Sequence, residues 1–108
     1  MSLFANVFES LAPRGAGRVS GAEARRLVAE ENAVLIDVRT AAEFGGGHAE
    51  GARNVPLQAL ARRLDELPVD RPVVVYCRSG GRSATAATLL RRHGYTVRDA
   101  GGLANVMS

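Results

Sequence analysis

The sequence predicts one α/β domain, an open parallel sheet with helices on both faces. Three observations lead there. Strand-like and helix-like segments alternate along the chain, the pattern of βαβ units. Residues 34–38 and 73–76 are continuous apolar runs rich in β-branched residues, as expected of strands buried on both faces. A chain of 108 residues has room for one hydrophobic core, since domains commonly run to about 100–150 residues.

In chain order, residues 3–11 (LFANVFESL) set Leu3, Phe4, Val7, Phe8 and Leu11 at helical spacing. They are expected to form a helix that packs on the domain or offers a partner surface, ended by Pro13 to Gly17. Ser20-Gly21-Ala22-Glu23 has the capping-box pattern and opens a helix over about residues 21–30. Val34 to Val38 reads as a buried strand. Thr40-Ala41-Ala42-Glu43 is a second capping box; the helical turn it opens is stopped by Gly45, Gly46 and Gly47. A loop follows from His48, and Arg53-Asn54-Val55 is a short strand before Pro56. Residues 57–67 place Leu57, Leu60, Ala61, Leu64 and Leu67 on one face and predict an amphipathic helix. After a loop over 68–72, Val73-Val74-Val75-Tyr76 gives the strongest strand signal in the chain. A helix over about residues 83–93 stops at Gly94, Tyr95 to Arg98 forms another strand, and Gly101-Gly102 leads into a last short turn or helix.

Composition narrows the function. Apolar residues make up 46% and charged residues 23%, a globular balance rather than a disordered one. The single cysteine, Cys77, has no partner within the chain, which excludes a disulfide scaffold. No apolar run approaches the roughly 20 residues of a membrane span, so no membrane partner is expected. Met1 to Leu11 has no basic region and carries Glu9, unlike a secretory signal. A cytoplasmic location is the expectation. The net charge is +3 and every basic residue is arginine, which stays charged and offers planar forks to anions. Nucleic acid is not the expected partner: the arginines alternate with acids (Arg62, Arg63, Asp65, Glu66), and there is no tryptophan to stack on bases.

In open α/β sheets, sites form beyond the carboxyl ends of the strands. Here those ends carry Asp37-Val38-Arg39, Cys77 and Asp99. The segment Cys77-Arg78-Ser79-Gly80-Gly81-Arg82-Ser83 joins a strand directly to a helix. Gly80 and Gly81 let the backbone curl with its N–H groups inward, as an anion-binding nest. The following helix adds its positive N-terminal end, and Arg78 and Arg82 add full charges. A thiol in that place ionises more easily. A lone cysteine is ordinarily a small buried hydrophobe, and a bare nest can hold phosphate without chemistry. Cysteine, glycine pair and arginines together point to a nucleophile in an anion cradle.

The chain resembles the single-domain rhodaneses, a sulfurtransferase family, over roughly residues 19–106. The resemblance rests on Leu35-Ile36-Asp37-Val38-Arg39, Glu43-Phe44, Gly47-His48, Gly51-Ala52-Arg53-Asn54-Val55-Pro56, the run from Val75 to Ser83, and Gly101-Gly102. It departs from the family at Ala49-Glu50, where a bulky apolar residue and proline are usual. It departs again near Asn105-Val106, where a tryptophan is usual. On this reading residues 1–18 are an N-terminal helical extension and 19–108 a rhodanese-like domain.

The resemblance implies a ping-pong sulfurtransferase. Cys77 takes a sulfane sulfur from a small anionic donor, thiosulfate or a persulfide, and passes it to cyanide, a thiol or a protein cysteine. Arg78, Ser79, Gly80, Gly81, Arg82 and Ser83 bind the substrate, and Asp37 and Arg39 support the loop's edge. No cofactor is implied, and no metal: one cysteine and the scattered His48 and His93 lack ligand spacing. His48 is expected to be a hydrogen-bonded loop residue rather than a base. A sulfur carrier or regulatory module without turnover is the alternative. A cysteine phosphatase fits less well, since phosphatases with this fold have Cys-x5-Arg. Here four residues separate Cys77 from Arg82, and Ser83 stands where that arginine would be. The shorter loop suits a single terminal sulfur and crowds a phosphoryl group.

Overall fold

The computed structural model describes residues 17–108; the helix expected over residues 3–11 lies outside them. The first helix, α1 (Gly21–Glu31), starts where its sequence signal stands, with the Ser20 side chain accepting from the Glu23 N–H at 3.0 Å. It ends at Asn32 in the left-handed conformation, φ 59°, a region open to asparagine. Strand β1 (Val34–Asp37) is buried throughout. The short α2 (Ala41–Gly45) carries the reciprocal capping box: Thr40 accepts from the Glu43 N–H, and Glu43 accepts from the Thr40 N–H. There follow β2 (Arg53–Asn54), α3 (Leu57–Leu60), a 3₁₀ segment (Ala61–Glu66), β3 (Val73–Cys77), α4 (Gly81–Arg92), β4 (Val97–Gly102) and α5 (Leu103–Met107).

The strands lie in the order β2-β1-β3-β4, all parallel. Because β2 leaves β1 to one side and β3 lies on the other, the connections diverge between the carboxyl ends of β1 and β3. That is where open sheets place their crevice. Alternate strand residues face opposite layers. Ile36, Val73, Val75 and Val97 meet Leu60, Ala86 and Leu90 on one side. Leu35, Val74, Tyr76 and Ala100 meet Ala24, Leu27 and Val106 on the other. This two-sided burial is why the strands read as unbroken apolar runs rather than alternating ones. Leu60 and Leu90 are wholly buried, and truncating either to alanine costs about 2–5 kcal/mol.

Three elements differ from the sequence expectation. The helix over 57–67 is α-helical only through Leu60; Arg63 leaves helical geometry at φ −118°. The cause is tertiary: the Tyr95 hydroxyl donates to the Leu64 carbonyl at 2.7 Å and lies 3.2 Å from the Leu67 carbonyl, which closes the segment against the sheet. The last strand runs from Val97 to Gly102 rather than over 95–98. Gly102 pairs with the end of β3: Val75 opposes Asp99 and Cys77 opposes Gly102, so β4 takes one extra residue in a bulge. The helix after Cys77 begins at Gly81, earlier than residue 83. No helix among the described residues is long and apolar enough to cross a membrane.

Candidate active site

Cys77 ends β3, and the loop after it turns back around its sulfur. Gly80, at φ 111°, makes that turn, in a region that favours glycine. The Gly80 N–H donates to Cys77 Sγ at 3.0 Å and the Ser83 N–H at 3.3 Å. Gly81 has no positive φ, and a Cβ there meets nothing within 4 Å. Of the glycine pair, therefore, only Gly80 is demanded by the backbone.

Two influences compete at the thiol. Burial is the larger single one and pushes it up; Cys77 is 1% exposed. The Ser83 N–H and hydroxyl and the Gly80 and Ser79 N–H groups oppose it, and their sum holds the Cys77 thiol below its ordinary value. Hydrogen bonds to the charged form are what favour that form. The loop arginines contribute less than the sequence suggests, because Arg82 is already engaged. Its guanidinium forms a two-point pair with Glu43, Nη1 to Oε1 at 2.7 Å and Nη2 to Oε2 at 3.0 Å. Arg82 first, and then the Thr40 backbone, hold the Glu43 carboxyl down at about 2. Glu43 thus ties the start of α2 to the start of α4 while capping its own helix. The sequence marks Glu43 as a cap and as part of the family resemblance but not as the partner of Arg82; residues 39 positions apart show no linear signal of pairing.

Ser83 is wholly buried. Its hydroxyl lies 3.1 Å from the Gly80 carbonyl and 3.4 Å from the Gly101 carbonyl. Arg78 and Ser79 are exposed at the rim. Their backbone is clamped from below by the end of β4 and the start of α5: the Leu103 N–H donates to the Arg78 carbonyl at 3.2 Å, and Ser79 bridges Gly102. A Cβ on Gly102 would stand 2.7 Å from that carbonyl oxygen, so only glycine lets the loop lie this close.

Asp37 and Arg39 form a buried fork, with Nε and Nη2 of Arg39 at 3.0 and 2.7 Å from the carboxylate. The Arg39 N–H also donates to Oδ1 at 2.8 Å, and Nη2 reaches the Gly47 carbonyl at 2.7 Å. The pair braces the segment that carries α2 and so positions Glu43. Tyr76, beside it on β3, accepts from the Ala49 N–H at 3.0 Å. Burial, aided by Asp37, pushes its hydroxyl up to about 12. The small Ala49 is buried in that contact. His48 stacks on Phe44, ring centroids 3.6 Å apart, and its Nδ1 lies 2.9 Å from the Phe44 carbonyl. These bonds finish the α2 turn. Asn105 donates to the carbonyls of Val19 and Ala100 at 2.9 and 2.7 Å, joining the start of the described chain to β4.

The arrangement can do one thing well: hold a sulfur anion at the floor of a ring of N–H dipoles. The family model for the Rhodanese-like domain matches residues 20–106. An uncharacterized protein of Bacillus subtilis, YqhL, is 52% identical over 64 residues, which cover 59% of this chain and 51% of that protein. The chain thus spans about half the length of that relative. The thiosulfate sulfurtransferase PspE of Escherichia coli is 38% identical over 66% of this chain and 71% of its own. Among solved structures, a human single-domain sulfurtransferase, TSTD1, superposes with a TM-score of 0.68 at 30% identity, covering 86% of this chain and 96% of that one. The chain belongs to the rhodanese-like domain family.

Proposed function

We propose that this protein is a sulfurtransferase that carries a sulfane sulfur on Cys77. The observation that carries the reading is the fan of N–H groups around Sγ at the carboxyl end of β3. The first half-reaction has the Cys77 thiolate attack the outer sulfur of an anionic donor. With thiosulfate, a Cys–S bond to that sulfur forms, the donor's S–S bond breaks, and sulfite leaves with the electron pair. Cys77 is left as a persulfide anion, stabilised by dipoles fixed before the charge arrives. In the second half-reaction an acceptor thiolate or cyanide attacks the outer sulfur, and the Cys77 thiolate departs. Arg78, exposed at the rim, draws in the anionic donor, and Arg82 braces the loop through Glu43. The name of the E. coli relative supports thiosulfate as a donor. A reducing compartment such as the cytoplasm keeps the lone thiol ready between cycles.

The loop favours sulfur over a phosphoryl group. Arg82 is spent on Glu43, and a phosphoryl oxygen would need that fork free. Steady-state transfer from thiosulfate to cyanide tests the reading. Sulfite and thiocyanate should appear in equal amounts with ping-pong kinetics, and Cys77→Ser should be inactive. A persulfide that forms but never turns over would instead mark a sulfur carrier.

A further inference from the structure

Arg18 lies before residues 20–106, which match the family, yet it reaches the Cys77 loop. Its backbone is stitched to β4: Arg18 bridges Asp99, and the Val19 N–H donates to the Asp99 carbonyl at 2.8 Å. Its side chain fills a slot between Gly80 and Gly101. A Cβ on Gly80 would stand 2.9 Å from Nη2 of Arg18, and one on Gly101 would stand 3.2 Å from its Cδ. Both glycines have positive φ, 111° and 73°. From this slot Nη2 donates to the Gly80 carbonyl at 3.4 Å and lies 3.6 Å from Oδ2 of Asp99. The other Asp99 oxygen accepts from the Gly101 N–H at 2.8 Å. One side chain therefore joins the flank of the domain, the bulge of β4 and the loop around the nucleophile.

The Gly80 carbonyl also accepts from the Ser83 hydroxyl at 3.1 Å and the Ala84 N–H at 3.2 Å. The Ala84 bond is the first of α4's own ladder, so this carbonyl points along the helix, and Arg18 holds it there from the flank. In a planar trans peptide the N–H points opposite to the C=O, so a Gly80 carbonyl aligned with α4 turns the Gly81 N–H back out of the helix start. That N–H opens α4 and has no acceptor within the helix. The geometry points to Arg18 as a positioning residue of the persulfide loop: by packing on Gly80 and binding its carbonyl, it holds the Gly80 backbone in line with α4, keeping the Gly80 N–H on Sγ and the Gly81 N–H free for the outer sulfur. The outer-sulfur half of this proposal rests on the sulfur-transfer reading; the Sγ half does not.

The test compares Arg18→Met, which keeps the stem against Gly101 and loses donors and charge, with Arg18→Lys, which keeps a charge but not the fork. In the reduced protein, the pH midpoint of Cys77 alkylation by iodoacetamide should rise in Arg18→Met by about half a unit or more, a roughly threefold loss of thiolate at fixed pH. Arg18→Lys should recover part of that shift. After loading with thiosulfate, the persulfide half-life in acceptor-free buffer should fall about threefold in Arg18→Met, in step with the same loss of N–H stabilisation. An unchanged midpoint and half-life in Arg18→Met, even with a lower melting temperature, would overturn the proposal and leave Arg18 as an anchor of the flank. Should Arg18→Met not fold, an unshifted midpoint in Arg18→Lys overturns it equally. If the unaltered protein takes up no sulfur, the sulfur-transfer reading fails on its own, and the alkylation midpoints still decide the placement of Arg18.

Discussion

Two glycines at the loop should respond in opposite ways to the same added methyl group. At Gly102 a Cβ would stand 2.7 Å from the Arg78 carbonyl oxygen and 3.2 Å from the Ser79 Cα. Carbon and oxygen need about 3.3 Å even in a close C–H···O contact. The loop must retreat from β4 by several tenths of an ångström, and both colliding groups are backbone. Overpacking of this kind costs about 1–3 kcal/mol. In a domain of this size that lowers the melting temperature by about 5–20 °C. The retreat also draws Ser79 away from Sγ, so the Cys77 alkylation midpoint should rise. At Gly81 a Cβ meets nothing within 4 Å and the backbone is unstrained, so Gly81→Ala should stay within about 0.5 kcal/mol and leave the midpoint alone. Calorimetry and alkylation against pH on both variants give the answer. Equal effects at the two positions would refute the clamp between β4 and the loop.

Other perturbations follow from the same contacts. Glu43→Gln should lose the Arg82 pair. Since the Glu43 carboxyl is held at about 2 against an ordinary 4.5, its stabilisation is complete above 4.5, shrinks as pH falls and is gone below about 2; the melting-temperature gap between variant and parent should follow that course. A gap that widens on acidification would contradict it. Arg39→Ala leaves the buried Asp37 carboxylate without its partner and should cost about 3–5 kcal/mol in denaturant unfolding. Ser83→Ala removes a hydroxyl that helps lower the Cys77 thiol, so the alkylation midpoint should rise; an unchanged midpoint would contradict the hydroxyl's part in holding the thiol down.

Much of this was legible in the sequence where the cause is local. The capping boxes at Ser20 and Thr40 stand where the helices begin. The apolar run Val73 to Tyr76 is a central strand, and Cys77 ends it at the sheet's carboxyl edge. What sequence did not carry is set by contacts distant along the chain. Leu57 to Leu67 has helical spacing, but the Tyr95 hydroxyl binds the Leu64 carbonyl beside that of Leu67 and bends it. The glycines of β4 have no strand propensity, yet they are a strand because Cys77 and Ser79 pair with Gly102. Gly80 and Gly81 look equivalent in the string, and only the backbone angle separates them. Arg82 reads as a free cation until the fold brings Glu43 to it. Arg18 carried no signal, since its partners are the backbone of Gly80 and the side chain of Asp99.

The central role proposed for Cys77 is to carry the transferred sulfur, and the intact mass of the protein tests that most directly. Incubated with thiosulfate and freed of excess donor, the protein should gain one sulfur atom. Cyanide or a small thiol should remove it, and Cys77→Ser should never acquire it. An unmodified mass after thiosulfate and after persulfide donors, or an equal gain on Cys77→Ser, would contradict the account.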